Sequence, residues 1–286
     1  MRKQYHFIKS LQVYATQYPI IFSGITIAVF TLFTEAIGFE SVLKHFDKQS
    51  TSYLSGILVQ GLASIFLVVL LKGLGLLKSA GFTKPNEWKQ LWMIWPIVVL
   101  CILVSWPLID GTLHIDTSKS FVIILYILVY LSTGFYEEIL FRGVTLTVMV
   151  RRWGAGKSGL YLAAVLSSVM FGGLHIISLF LGRISLMASV TQVLYATFIG
   201  TFFAACVLRN KSIWPAIFFH ALFNICSDWS AISIGSHFGQ ISNINNTFAD
   251  ALSTILVFLP FFIYGLFILR KVQPLNSESL VKQSEF

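Results

Sequence analysis

Charged residues are scarce in this sequence. Only 11% of its 286 residues are Asp, Glu, Lys or Arg, whereas 56% are hydrophobic, and the mean hydropathy is +0.79. Soluble domains carry about a quarter charged residues, because their surface must be wetted. The composition therefore excludes a soluble globular protein and predicts an integral membrane protein. An aromatic content of 15% fits the interfacial belts of membrane helices.

Cysteine is also scarce. Cys101, Cys206 and Cys226 all lie inside apolar stretches and have no metal-ligand spacing. This argues against a cysteine-based metal site, and we interpret the three residues as small buried hydrophobes. They do not indicate a redox compartment.

Apolar runs of about twenty residues, enough to cross ~30 Å of hydrocarbon as a helix, recur along the chain. They predict an all-α bundle of about eight transmembrane helices, forming one domain over residues 1–270, with a disordered cytoplasmic tail over 271–286. The predicted spans are 18–39, 53–77, 91–109, 120–148, 159–181, 186–208, 212–227 and 248–269.

The loops between these spans differ in their content of Lys and Arg. With the N-terminus inside, fifteen of the 20 lie in cytoplasmic segments, four lie outside, and Arg142 lies within a span. The bias predicts cytoplasmic N- and C-termini in a multi-pass protein of the cell membrane. It also explains the formal net charge of +8 without nucleic-acid binding, since the basic residues are scattered over membrane flanks.

Ionisable and amide side chains inside three spans are the candidate functional residues. A charge at membrane depth costs several kcal/mol, and such residues usually face the interior of the bundle and function there. Glu137, Glu138 and Arg142 lie in the fourth span, His175 in the fifth, and His220 with Asn224 in the seventh.

Helical spacing divides the charged group of the fourth span. Glu138 and Arg142 are four residues apart, so they share one helix face and can pair. Glu137 is rotated by ~100° from Glu138 in an α-helix. We therefore expect a structural Glu138–Arg142 pair and a free carboxylate on Glu137.

Two kinds of chemistry fit Glu137, His175, His220 and Asn224 if they converge. Glu137 and His175 can hold and deprotonate a water, while His220 and Asn224 donate hydrogen bonds to an oxyanion. Alternatively, Glu137, His175 and His220 are the three protein ligands of a catalytic divalent metal such as zinc. The residue types leave both readings open.

Other hydrolase signatures are missing. The sequence contains no His-Glu-x-x-His and no Gly-x-Ser-x-Gly motif, and it has no pair of aspartates within its spans. This argues against zincins, serine hydrolases with a nucleophile elbow, and aspartyl intramembrane proteases.

Three motifs together resemble a known family. Glu137-Glu138-Ile-Leu-Phe-Arg142, Phe171-Gly-Gly-Leu-His175 and His220-Ala-Leu-Phe-Asn224 are similar, in this order, to the motifs of the CPBP (Abi) family of CAAX proteases and bacteriocin-processing proteins. The resemblance covers about residues 120–227. It implies an intramembrane endopeptidase in which Glu137 and His175 activate water, His220 and Asn224 stabilise the oxyanion, and Glu138 and Arg142 support them. Whether a metal takes part stays open.

The substrate is not defined by these motifs. The short loops resemble bacterial members, which implies a bacterial plasma membrane and a short peptide or membrane-protein tail as substrate, as in bacteriocin maturation or pheromone processing. The alternatives are a non-catalytic bacteriocin-immunity or scaffold protein that binds a peptide in the same cavity, and a transporter with a proton relay. The side of substrate entry and the oligomeric state stay open.

Overall fold

The computed structural model describes residues 2–83, 85–235 and 247–275 as a helical bundle. In these residues, strand-like pairing is limited to one isolated bridge between Ile115 and Ser233. The prediction of an all-α polytopic membrane bundle is confirmed. The helices are α1 (Arg2–Gln17), α2 (Pro19–Ala36), α3 (Lys48–Gly73), α4 (Trp95–Val104), α5 (Trp106–Ile109), α6 (Ser120–Glu138), α7 (Thr147–Trp153), α8 (Lys157–Leu174), α9 (Ile177–Phe180), α10 (Leu186–Asn210), α11 (Trp214–Ser227) and α12 (Phe248–Leu269), with 3-10 turns at Pro85–Ile94, Thr117–Lys119 and Trp229–Ile232.

Six helical stretches in the described residues are long and apolar enough to cross a membrane. They are Pro19–Ala36, Lys48–Gly73, Thr117–Trp153, Lys157–Phe180, Leu186–Asn210 and Phe248–Leu269. The other two predicted spans contain the shorter apolar helices Gln90–Val104 and Trp214–Ser227. At 14 residues, α11 is ~21 Å long, less than the hydrocarbon thickness. The count of eight spans and the placement of both termini therefore stay predictions.

Short polar and proline signals set the helix boundaries. The side chains of Asp47, Ser185 and Thr247 accept hydrogen bonds from backbone N–H groups in the first turns of α3, α10 and α12, which satisfies donors that have no partner within the helix. Hydrogen bonds from Ser50 and Gln49 hold the pKa of Asp47 below its ordinary value. Helices α2, α4 and α11 begin with proline in their first two positions, where its missing N–H costs nothing.

A π-helix over Ile139–Leu146 joins α6 to α7. All eight of its residues are buried. The Thr145 hydroxyl donates to the carbonyl of Leu140 at 3.0 Å, and the Thr147 hydroxyl donates to that of Arg142 at 3.1 Å, so two threonines satisfy carbonyls five residues back in the wider turn. Such segments are often found at functional sites. The fourth predicted span is therefore a continuous helical rod with a π-helical middle.

Helix α10 lies at the centre of the bundle and is the most buried of the six long helices. It packs against α8 and α12, while α6 packs against α3 and α11. Two glycines permit the close crossings: a Cβ on Gly265 would lie 2.9 Å from Phe202 Cα, and one on Gly172 would lie 2.5 Å from the Val193 carbonyl oxygen. Gly173, the neighbour of Gly172, faces open space instead.

The segment after α12 begins by packing on the bundle. Val272 is buried, and the Leu275 N–H donates to the carbonyl of Gly154 at 2.8 Å. Residues 276–286 of the predicted tail lie outside the described residues.

Candidate active site

Glu137 and Glu138 end α6, immediately before the π-helix. One turn earlier, Gly134 lies against α11: a Cβ there would be 3.0 Å from the Ile217 carbonyl oxygen and the Ala221 N and Cβ atoms. The missing side chain lets α11 approach α6 closely. This approach places His220, the neighbour of Ala221, beside the two carboxylates.

His220 contacts both glutamates, one with each ring nitrogen. Its Nδ1 lies 2.8 Å from Glu138 Oε1, and its Nε2 lies 3.4 Å from Glu137 Oε2. The first distance is that of a charge-assisted hydrogen bond, whereas the second is longer than a direct hydrogen bond. The ring is buried and stacks on Phe203 with centroids 5.7 Å apart, so packing as well as hydrogen bonding fixes its orientation.

Glu138 and Arg142 form the ion pair that their spacing predicts. Arg142 Nη1 lies 2.9 Å from Glu138 Oε1, and both side chains are buried, at 1% and 0% exposure. The two atoms are in contact, although they are not aligned as a hydrogen bond. Arg142 Nη2 donates to the Gly200 carbonyl at 3.2 Å, and the guanidinium lies 4.6 Å from the centroid of the Phe171 ring. A buried cation held by a carboxylate, a carbonyl and an aromatic face is well compensated.

A cavity of about 630 Å³ reaches Glu137 from one end of the bundle. His175 lines the same cavity. It caps the C-terminus of α8, and its Nδ1 is 3.2 Å from the carbonyl of Phe171. Glu137 is 18% exposed, in contrast to the sealed Glu138. Of the two adjacent carboxylates, Glu137 is therefore the one that a molecule in the cavity can reach.

The cavity is mostly polar, and helices from the first part of the chain form much of it. Its polar lining comprises Thr31, Thr34, Glu35, Glu40, Ser52, Ser55, Gln60, Tyr136, Glu137, His175, Ser178 and Arg183. Glu35 and Arg183 pair across 148 residues of sequence with N–O distances of 3.3 and 2.9 Å, and they are 39% and 56% exposed. This ion pair ties the end of α2 to the turn before α10.

Sequence reasoning did not find the contribution of α2 and α3. Gln60 lies in the middle of the apolar run of α3, and its side-chain oxygen accepts a hydrogen bond from the Thr133 hydroxyl at 3.1 Å. A lone amide within an apolar span was the available signal. Glu35, a lone acid within the first predicted span, was a similar signal. Its pairing with Arg183 was not predictable, because nothing local indicates a partner so distant in the chain.

Asn224 lies one turn beyond His220 on α11. Its side chain is half-buried and has no hydrogen-bond partner among the residues that the structure describes. Neither Asn224 nor His220 lines the large cavity. The structure thus brings His220 to Glu137 and places Glu137 with His175 in one cavity, while Asn224 stands apart from the lining.

The arrangement of potential metal ligands bears on the three-ligand alternative. Across residues 2–83, 85–235 and 247–275, no three His, Cys, Asp or Glu side chains are grouped so that they could hold a metal ion. Glu137, His175 and His220 are included in that statement. The geometry does not fit the three-ligand site considered from the sequence, and metal dependence stays a prediction.

Comparison with known proteins gives one family match. Residues 119–226 match the family described as Type II CAAX prenyl endopeptidase Rce1-like. The comparisons with curated proteins and with solved structures yield no match. The matched range includes all three motifs, from Glu137 to Asn224. This polytopic membrane chain therefore resembles CAAX-type proteases of the Rce1-like family over residues 119–226.

Proposed function

We propose that the protein is an intramembrane endopeptidase in which Glu137 activates a water for attack on a peptide carbonyl. The observation that supports this most directly is the pairing of a reachable carboxylate with two histidines. Glu137 shares the cavity with His175 and lies 3.4 Å from His220. A positioned carboxylate or imidazole acting as general base contributes about 10²- to 10⁴-fold in rate.

The Glu138–Arg142 pair sets the tautomer of His220. Glu138, paired with a cation, is an ionised acceptor, so Nδ1 of His220 must carry the proton in their 2.8 Å hydrogen bond. In the neutral ring, Nε2 is then an acceptor that faces Glu137. This is the role of the orienting carboxylate in acid–base triads.

The proposed proton path runs through Glu137 to His220. Glu137 takes a proton from water as the water oxygen bonds to the carbonyl carbon, and the proton passes to Nε2 of His220. The resulting imidazolium, stabilised by Glu138, donates to the oxyanion. The family resemblance implies the same role for Asn224, whose side chain does not line the cavity in this structure. When the carbon–nitrogen bond breaks, the proton goes to the leaving amine, and the neutral histidine is restored. His175 positions the water from across the cavity.

The cavity lining favours a polar peptide segment as substrate. Hydroxyl and amide groups predominate, and Glu35, Glu40 and Glu137 outnumber Arg183. An apolar prenyl chain gains little from such a lining, because the hydrophobic contribution scales with buried apolar area. We therefore propose a polar or basic segment of a membrane-associated peptide or protein tail, as in bacteriocin or pheromone maturation.

The cavity opens where α2 ends and α3 begins. By the loop-charge bias this end of the bundle is external, so the proposed substrate segment enters from outside the cytoplasm of a bacterial cell.

The test is cleavage of a membrane-associated peptide library by the purified full chain. Wild type should cleave peptides with polar or basic residues at the scissile bond, and Glu137→Gln should lose about a thousandfold. Asp250→Asn, which removes an exposed carboxylate at the start of α12, should cleave within twofold of wild type. Cleavage that persists in Glu137→Gln would reject the mechanism.

Two further measurements in the same assay distinguish this mechanism from a metal-dependent peptidase and from a non-catalytic binding protein. A strong chelator should leave the wild-type rate unchanged, since no proposed step uses a metal; loss of activity that zinc restores would replace this mechanism with a metal-dependent one. Tight binding of a peptide without any cleavage would instead support the immunity or scaffold function.

A further inference from the structure

A second, smaller cavity lies at the opposite end of the bundle. It has a volume of about 230 Å³ and is formed where α3 and α10 have ended, α8 begins, and the segment after α12 returns. We call it the basic pocket. It is lined by Lys78, Ser79, Gly81, Arg142, Leu146, Thr147, Val150, Arg151, Leu160, Val207, Leu208, Lys211, Val272, Gln273 and Leu275.

The basic pocket combines an apolar interior with a cationic lining. Seven of its lining residues are Leu or Val, and four are Lys or Arg. Asp and Glu are absent from this lining among the described residues. Arg142 is paired with Glu138. The positive charge on which the pocket's binding capacity depends is therefore that of Lys78 and Lys211.

Backbone contacts between the α3–α4 and α10–α11 connections hold one side of the pocket in place. Lys211 adopts φ 53°, in the left-handed region that non-glycine residues rarely occupy. Its carbonyl accepts a hydrogen bond from the Thr83 hydroxyl at 2.8 Å, and the next-but-one residue, Ile213, donates to the Gly81 carbonyl at 3.0 Å. A Cβ on Gly81 would lie 2.7 Å from Ile213 N. Because these hydrogen bonds hold the backbone of Lys211 in an unfavourable conformation, Lys211 has a defined position at the pocket.

The opposite side is fixed by the segment that follows α12. Lys157 Nζ donates to the carbonyls of Arg270 and Val272, the former at 2.8 Å, and Leu275 N–H donates to the carbonyl of Gly154. Val272, which lines the pocket, is therefore anchored to the first residue of α8, and Leu275 is anchored to the turn between α7 and α8. Hydrogen bonds therefore fix the position of both sides of the pocket.

We propose that the basic pocket binds the headgroup and upper acyl chain of an anionic phospholipid. The pocket lies at the helix ends, which is the depth of the headgroups of one leaflet, and the loop-charge bias makes this the cytoplasmic leaflet. Basic pockets between membrane helices on that side bind anionic headgroups. Lys78 and Lys211 contact the phosphate, and the leucine and valine side chains contact the first methylenes of the acyl chain. Free inorganic phosphate would use only the cations and leave the apolar lining unfilled.

The experiment measures lipid binding to the full chain in detergent by native mass spectrometry. Phosphatidylglycerol and phosphatidylcholine with identical acyl chains are titrated separately, and inorganic phosphate is added as a competitor. Wild type should retain phosphatidylglycerol at least tenfold better than phosphatidylcholine, and millimolar phosphate should not displace it. Equal retention of the two lipids, or displacement by phosphate alone, would overturn the proposal.

Two matched sets of variants locate the site. Each lysine near an anionic headgroup is worth about fivefold in affinity, so Lys78→Gln/Lys211→Gln should lose about 25-fold. Arg152→Gln/Lys271→Gln removes two exposed charges at the same end that do not line the pocket, and it should bind within twofold of wild type. Equal losses in both pairs would show a diffuse surface attraction and reject the site.

A pocket-filling variant gives an independent readout in which all basic residues remain. Leu208→Trp places a large side chain in the pocket and should abolish the preference for phosphatidylglycerol, with a melting temperature that confirms folding. Undiminished phosphatidylglycerol binding in this folded variant would mean that the lipid lies elsewhere.

Discussion

The two cavities lie at opposite ends of the bundle and carry opposite charge. The large cavity holds three glutamates and one arginine, whereas the basic pocket holds four cations and no acid among its described lining residues. Both are lined by the same helical rod: Glu137 faces the first cavity, and Arg142 lines the second. The two residues are five positions apart, which is only ~7.5 Å along a helix.

The partition between the cavities is the buried Glu138–Arg142 pair. Glu138 bonds His220, which also contacts Glu137 of the large cavity, and Arg142 lies in the lining of the basic pocket. Neighbouring charged residues of one sequence motif therefore differ in exposure and in their contacts. Glu137 is accessible from the large cavity, whereas Glu138 and Arg142 form a buried pair in contact with His220.

Removal of the Arg142 charge should have the largest effect on stability, because Arg142 is the partner of the buried Glu138. Arg142→Leu leaves Glu138 buried without its partner and should lower the free energy of unfolding by about 3–5 kcal/mol. Thermal unfolding in detergent measures this change. Glu138→Gln/Arg142→Met, which removes both charges, should recover most of the loss; an Arg142→Leu variant as stable as wild type would show that the pair is not needed.

The second largest loss of stability is expected from Gly172→Ala, a change near the large cavity. Gly172→Ala puts a Cβ 2.2 Å from Thr197 Oγ1 and 2.5 Å from the Val193 carbonyl, so α8 must move away from α10. Such overpacking costs about 1–3 kcal/mol and shifts His175 at the end of α8, which should lower cleavage while leaving lipid binding at the basic pocket unchanged.

Gly173→Ala is the matched control for this variant. Nothing lies within 4 Å of a Cβ at Gly173, so its unfolding midpoint and activity should equal or slightly exceed those of wild type. Equal destabilisation by the two substitutions would contradict the close contact assigned to Gly172.

The exposed Glu35–Arg183 ion pair, which lines the large cavity, should contribute least to stability. Arg183→Gln breaks the exposed pair with Glu35, and such pairs are worth at most about 1 kcal/mol and are screened by salt. The unfolding midpoint should fall slightly at low salt and match wild type at high salt. A loss well beyond this would mean that the pair closes the cavity structurally. Lys119→Gln, which breaks the local exposed pair with Asp116, provides the comparison.

Much of the fold follows from composition and periodicity. Apolar run length predicted the helices, because hydrocarbon admits little else, and every predicted span contains a helix. The spacing of Glu138 and Arg142 predicted their contact. The π-helix at Ile139–Leu146 was not predictable, because it depends on threonine side chains that bond five residues back and on packing from several helices.

The candidate site was predictable as a set of residues and less so as an arrangement. Ionisable groups in apolar spans identified Glu137, His175 and His220. His220 contacts two carboxylates because α6 and α11 cross closely at Gly134. No local sequence pattern predicts that crossing. The exclusion of Asn224 from the cavity lining has the same origin, since the angle of α11 decides which of its faces is covered.

Separate measurements on the two adjacent glutamates test the central claim most directly. Cleavage rate and unfolding midpoint are compared for wild type, Glu137→Gln and Glu138→Gln with one membrane-associated peptide. The account predicts that Glu137→Gln loses about a thousandfold in rate at unchanged stability, whereas Glu138→Gln is destabilised and keeps more activity. Equal residual activity in two normally folded variants would contradict it.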